Sequence, residues 1–126
     1  YQKEQGIDTE FILAGEPTDL KINHESKGIL WLKITTHGQT AHGAYPWQGK
    51  NAINTMVQIL SKLEKFFPAP KQEVWRTTIN FANITTPNQT TNKVPDSCST
   101  TLDVRFIPDD AQSILPSIKK LLPKSC

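Results

Sequence analysis

The chain has 126 residues, with 14 basic and 12 acidic side chains for a net charge of +2, and 37% of it is hydrophobic. That length suits one domain with a single modest core. A charge so nearly balanced gives no basis for nucleic-acid or anionic-membrane binding, and no apolar run approaches the length of a membrane span.

The opening Tyr1-Gln2-Lys3-Glu4 is neither an initiator Met nor a signal peptide, so the chain reads as a domain cut from a longer protein. Cys98 and Cys126 sit in no CxxC and no Cys/His cluster, which excludes a zinc finger on spacing. Two free thiols suit a reducing compartment, and a cytoplasmic location is expected. Asn83-Ile84-Thr85 and Asn88-Gln89-Thr90 match the glycosylation acceptor pattern, but so short a pattern recurs by chance and carries little weight here.

Phe11-Ile12-Leu13-Ala14 is a short apolar run ending at Gly15-Glu16-Pro17-Thr18, the pattern of a buried strand leaving its sheet at a turn. Lys21 to Lys27 alternates weakly, as a second strand or a linker. From Ile29 to Thr36, Leu30, Leu32 and Ile34 alternate with Trp31, Lys33 and Thr35, which predicts a strand. Gln39 to Gly49 is a loop punctuated by Gly43, Pro46 and Gly49. A helix is predicted from Asn51, a suitable N-cap, to Phe66, with Ile53, Met56, Val57, Leu60, Leu63 and Phe67 as its buried stripe. Pro68 and Pro70 end it.

Val74 to Ala82 alternates as a strand, and Thr85 to Asp96 is a polar loop. Cys98 to Phe106 has the cleanest alternation in the chain: Cys98, Thr100, Leu102, Val104 and Phe106 face one way, and Ser99, Thr101, Asp103 and Arg105 the other. Cys98 is expected as a small buried hydrophobe. Asp109 to Leu122 carries a second helical stripe. Pro116 lies within it, so the helix either starts near Ser113, with Pro116 in its first turn, or is kinked.

Strand, helix, strand, strand, helix is the order of the split βαβ unit. The predicted class is therefore α+β: a ferredoxin-like antiparallel sheet with both helices on one face, its last strand lying beyond Cys126.

No HxxxH, HExxH, GxSxG or phosphate-binding glycine loop occurs. Four residues remain. Glu16 follows a buried strand, where open α/β sheets place ligands, or is a solvated turn acid. His42 lies among small residues and could donate to a developing oxyanion, or is an ordinary loop histidine. Asn92 could bind a carbonyl or hold a turn. Arg105 stands on the non-core side of a firm strand, where it could capture a carboxylate in a fork or pair with Asp103.

Taken in order, Gly15 to Thr18, Lys27-Gly28, Gly38 to Pro46 (Gly-x-x-Ala-His-x-x-x-Pro), Asn51 to Ile53, Asn92 to Asp96 (Asn-x-Val-Pro-Asp) and Leu102 to Arg105 (Leu-Asp-Val-Arg) resemble the M20 metallopeptidase family. The family includes desuccinylases, deacetylases and carboxypeptidase G-like enzymes. The resemblance implies that residues 1–26 are the tail of a catalytic domain with its linker, and residues 27–126 a lid or dimerisation domain. It implies that Glu16 is a ligand of a pair of zinc ions, that His42 is the lid histidine polarising the scissile carbonyl in the partner subunit's site, that Asn92 contacts substrate and that Arg105 binds its carboxylate. The expected whole is a homodimeric amidohydrolase cleaving a peptide or N-acyl amino acid. The family's His-x-Asp motif, Glu-Glu pair and late histidine ligand are absent from this chain, so the chain alone should bind no zinc and be inactive. Thr85 to Thr91 also replaces the glycine-rich stretch many relatives carry before the Asn-x-Val-Pro segment. The competing reading is a stand-alone ferredoxin-like module that binds a small molecule or a protein without catalysis.

Overall fold

The computed structural model describes residues 25–123. The strand expected at Phe11–Ala14, and Glu16 with it, lie outside those residues.

Three strands form one antiparallel sheet: β1 (Gly28–His37), β2 (Thr78–Thr85) and β3 (Ser97–Phe106), in the order β1-β3-β2. Two helices connect and follow them, α1 (Ala52–Phe66) and α2 (Ile114–Leu121). β3 is central and paired along both edges. Its alternating sequence is the cleanest because one of its faces is fully buried and the other is not.

Met56, Ile59 and Leu63 of α1 and Ile114 and Ile118 of α2 join Ile34, Cys98, Leu102 and Val104 in one buried cluster. Both helices therefore cover the same face of the sheet, as the ferredoxin-like α+β order requires. Thr36 is buried there too, and its hydroxyl donates to Ala52 O at 2.8 Å, so its polar atom is satisfied.

The α1 N-terminus forms as the sequence predicts: Asn51 Oδ1 accepts from the backbone N–H groups of Ile53 (2.9 Å) and Asn54 (3.3 Å). Five of the six predicted stripe positions lie in or against the core: Met56 and Leu63 are buried and Ile53, Leu60 and Phe67 pack on it, joined by Ala52 and Ile59, whereas Val57 is half exposed. α2 begins after Ser113, with Pro116 as its third residue, where a missing N–H leaves no helical bond unmade.

β2 starts later and runs further than the predicted Val74–Ala82. Its first predicted residues lie outside the ladder; Lys27 Nζ instead donates to Val74 O at 2.9 Å and Arg76 O at 2.7 Å. A bulge between Phe81 and Asn83 resets the register, which lets the strand continue to Thr85 through sequence that reads as loop. Asn83 Oδ1 accepts from Thr101 N at 3.1 Å beside the bulge, so this acceptor-pattern asparagine has a structural role.

Register places the outward-facing residues of the sheet in rows. Arg105 lies between Ile29 and Thr78, Asp103 between Trp31 and Asn80, and Thr101 between Lys33 and Asn83. No described helix covers this face.

Candidate functional site

His42 is carried on the loop between β1 and α1, and that loop is braced at several points. Gln39 and Lys50 exchange backbone hydrogen bonds at 2.9 Å, and Gly38 N donates to Asp96 O at 2.8 Å. A Cβ on Gly38 would fall well inside contact distance of Lys50 O, so only glycine allows this approach. The loop also clips to the segment before β3: Gly43 N donates to Asn92 O at 2.6 Å and Val94 N to Ala41 O at 2.8 Å, with His42 bridged to Lys93.

The imidazole itself is exposed and locally oriented. Ala44 N–H donates to its Nδ1 at 3.1 Å, and Tyr45 N donates to His42 O at 2.8 Å, closing a tight turn. An accepting Nδ1 puts the proton of the neutral ring on Nε2. The outward nitrogen is then a hydrogen-bond donor. The Tyr45 ring packs at 5.8 Å from the imidazole, and the Trp47 ring meets Tyr45 edge-on at 5.6 Å.

The segments carrying His42 and Asn92 are thus joined through the backbones of their neighbours, Gly43 to Asn92 and Ala41 to Val94. The isolated bridge places Lys93 opposite His42, while Asn92 is exposed and Val94 is buried. Asn92 lies in a turn, as its commoner reading predicts. Sequence reasoning passed over Lys93, whose only signal is the cross-loop bridge; its ammonium lies 3.5 Å from Asp96. The open depression of about 560 Å³ nearby is lined by Gly43, Pro46, Asn51 and the Asn88–Thr91 segment, and by neither the His42 nor the Asn92 side chain.

Arg105 is elsewhere. From Ser97 to Arg105 β3 is extended throughout, roughly 26 Å at about 3.3 Å per residue, and the His42 loop joins at the Ser97 end. Arg105 Nε donates to Asp103 Oδ1 at 2.9 Å and Nη2 to Asp103 Oδ2 at 3.0 Å. The Asp103 pairing anticipated as the plain alternative is therefore present as a two-bond fork. It occupies one side of the guanidinium and leaves the Nη1 edge free.

Among the described residues no group of three or more His, Cys, Asp or Glu is placed to hold a metal ion. The described side chains therefore do not fit the paired zinc ions that the resemblance implies. Burial pushes the Cys98 thiol up, as suits a core residue rather than a nucleophile.

The described chain is thus an α+β layer pair with both helices on one sheet face, the other face open, and a braced histidine loop at one end. The chain belongs to the peptidase dimerisation domain family of M20 peptidases, which it matches over residues 24–125. It is 27% identical over 122 residues to a "probable carboxypeptidase" of Talaromyces marneffei, covering 90% of this chain and 27% of that protein. It is 32% identical over 115 residues to one of Aspergillus clavatus, covering 82% of this chain and 28% of that protein. The chain thus spans about a quarter of the length of these relatives. In fold it is similar to a hydantoinase/carbamoylase family amidase of Burkholderia phymatum (TM-score 0.65, 17% identity, 76% of this chain and 24% of that one). It is likewise similar to a tripeptidase of Staphylococcus aureus (TM-score 0.60, 21% identity, 75% and 24%).

Proposed function

We propose that this chain is the lid and self-association domain of a larger hydrolase, which cleaves an amide bond next to a free carboxylate in a peptide or N-acyl amino acid. The observation that carries this is the Ala44 N–H bond to Nδ1 of His42 on an exposed, braced loop, which leaves Nε2 as the donor of the neutral ring. A donor held ready for a developing oxyanion needs no reorganisation at the moment of reaction. A metal centre, zinc by family resemblance, would supply the attacking hydroxide from the rest of the protein, with Glu16 among its ligands.

Separation of the two key groups supports a shared site. The reacting carbonyl and the carboxylate of an N-acyl amino acid are only a few bonds apart, yet His42 and Arg105 stand at opposite ends of β3. One lid cannot reach such a substrate with both. Two copies can, Arg105 coming from one and His42, with the Asn92 segment, from the other. A two-fold arrangement would make two equivalent sites.

Subunit mixing tests this in the full-length protein. Assayed at substrate well below KM, His42→Ala and Arg105→Ala proteins should each be nearly inactive. After exchange at equal amounts, hybrid dimers carry one intact site, so about a quarter of wild-type activity should return. If mixing restores nothing while hybrids demonstrably form, both groups act from the same chain and the shared-site reading is wrong.

A further inference from the structure

We infer that Trp31 determines which substrate side chain is accepted beside the carboxylate, and that it selects a bulky apolar or aromatic one. This rests on the reading of Arg105 as the carboxylate-binding group.

The surroundings of Arg105 on the open face are unequal. On the β1 side stand Ile29, directly opposite Arg105, and Trp31, opposite Asp103; on the β2 side stand Thr78 and Asn80. Ile29 is 52% exposed and Trp31 71% exposed. A tryptophan left this open, on a face that beyond Ile29 carries charged and polar residues such as Lys33, Thr35, Thr101 and Asp103, contributes little to the fold. Its large apolar surface is available to cover something else.

The Asp103 fork holds the guanidinium by Nε and Nη2, so the remaining N–H groups, Nη1 foremost, are those a carboxylate can use. A carboxylate seated there lies within one residue row of both Ile29 and Trp31. Its neighbouring side chain meets apolar surface on the β1 side and small polar groups on the β2 side. Asp103 adds a negative charge in the adjacent row, beside Trp31, which disfavours an acidic side chain. Charge and shape together fit the carboxylate of a residue such as phenylalanine or leucine, and fit aspartate poorly.

The test uses the full-length enzyme with acetyl and glycyl conjugates of phenylalanine, leucine, glycine and aspartate. Wild-type protein should hydrolyse the phenylalanine and leucine conjugates best. Trp31→Ala should lower kcat/KM for the phenylalanine conjugate about tenfold or more, and change the glycine conjugate less than about twofold. Trp31→Phe should restore most of the preference, and Trp31→Thr should behave as Trp31→Ala. Equal losses across the series, or no loss, would overturn the inference. Arg105→Ala separates it from its premise. If Arg105→Ala lowers turnover of every conjugate, glycine included, while Trp31→Ala is silent, only the Trp31 assignment falls. If Arg105→Ala spares them all, the reading of Arg105 falls and the inference with it.

Discussion

Asp103 grips Arg105 by two hydrogen bonds, Nε to Oδ1 at 2.9 Å and Nη2 to Oδ2 at 3.0 Å, from a position two residues earlier on the same strand face. The pair is partly exposed, and pairs of that kind contribute less than about 1 kcal/mol to stability. Its effect should lie in aiming the guanidinium. Asp103→Ala in the full-length enzyme should leave unfolding nearly unchanged and raise KM about three- to tenfold for a carboxylate substrate, roughly 1 kcal/mol. A fall in KM would show instead that Asp103 competes with the substrate for Arg105.

The elements of the fold are legible in the sequence because period two and the 3/4 spacing are strong over β1, β3 and α1. In the α1 stripe only Val57 departs from the expectation. Val57 and Ile59 are both apolar, and composition alone does not say which of the two meets the sheet. Packing decides it: Ile59 is 2% exposed and Val57 50%. Ile59→Ala should therefore destabilise the domain by about 2–5 kcal/mol, and Val57→Ala by less than about 1. Equal losses in urea unfolding would show that another surface covers Val57.

The β2 boundary was hidden for a different reason. A bulge at Ala82 breaks the alternation that marks a strand, and the continuation through Asn83 and Thr85 is held by β3, not by local preference. The site is legible only as separate residues. His42 and Arg105 stand out by their chemistry, but their separation along β3 and the fork to Asp103 depend on register, which sequence alone does not set.

Gly38 is the position where the His42 loop has least room for a side chain. A Cβ there would press on Lys50 O and Ala52 N, both backbone atoms with little room to move. Gly38→Ala should cost about 1–3 kcal/mol and shift the loop that carries His42. A variant of unchanged stability would mean that the Gln39–Lys50 bridge opens at no cost.

Cys98 is 1% exposed in the core, and burial raises its thiol above the ordinary value of about 8.5. The thiolate forms more readily in the unfolded chain. The associated stability is thus fully present below that ordinary value and is lost as pH rises above it toward the folded value. Native protein at pH 7 should react slowly with thiol reagents at Cys98. Urea unfolding from pH 7 to about 9.5 should show a steeper stability loss in the wild type than in Cys98→Ala. Parallel curves would mean that the thiol is solvated in the folded state.

His42 differs from Arg105 in what its removal should do. The Ala44 N–H to Nδ1 bond at 3.1 Å leaves Nε2 as the free ring nitrogen, which in the proposed site would donate to a group that becomes an oxyanion only as the reaction proceeds. An interaction that strengthens in the transition state acts on kcat, so His42→Ala should lower kcat about 10²–10³-fold with KM little changed. In the proposed site Arg105 would meet a carboxylate whose charge is the same before and during reaction, so Arg105→Ala should act largely on KM. Steady-state kinetics on both variants of the full-length protein, with metal content and dimer fraction matched, gives the comparison. Near-normal kcat in His42→Ala would return the residue to an ordinary exposed loop histidine, and an unchanged KM in Arg105→Ala would leave Arg105 as the strand partner of Asp103.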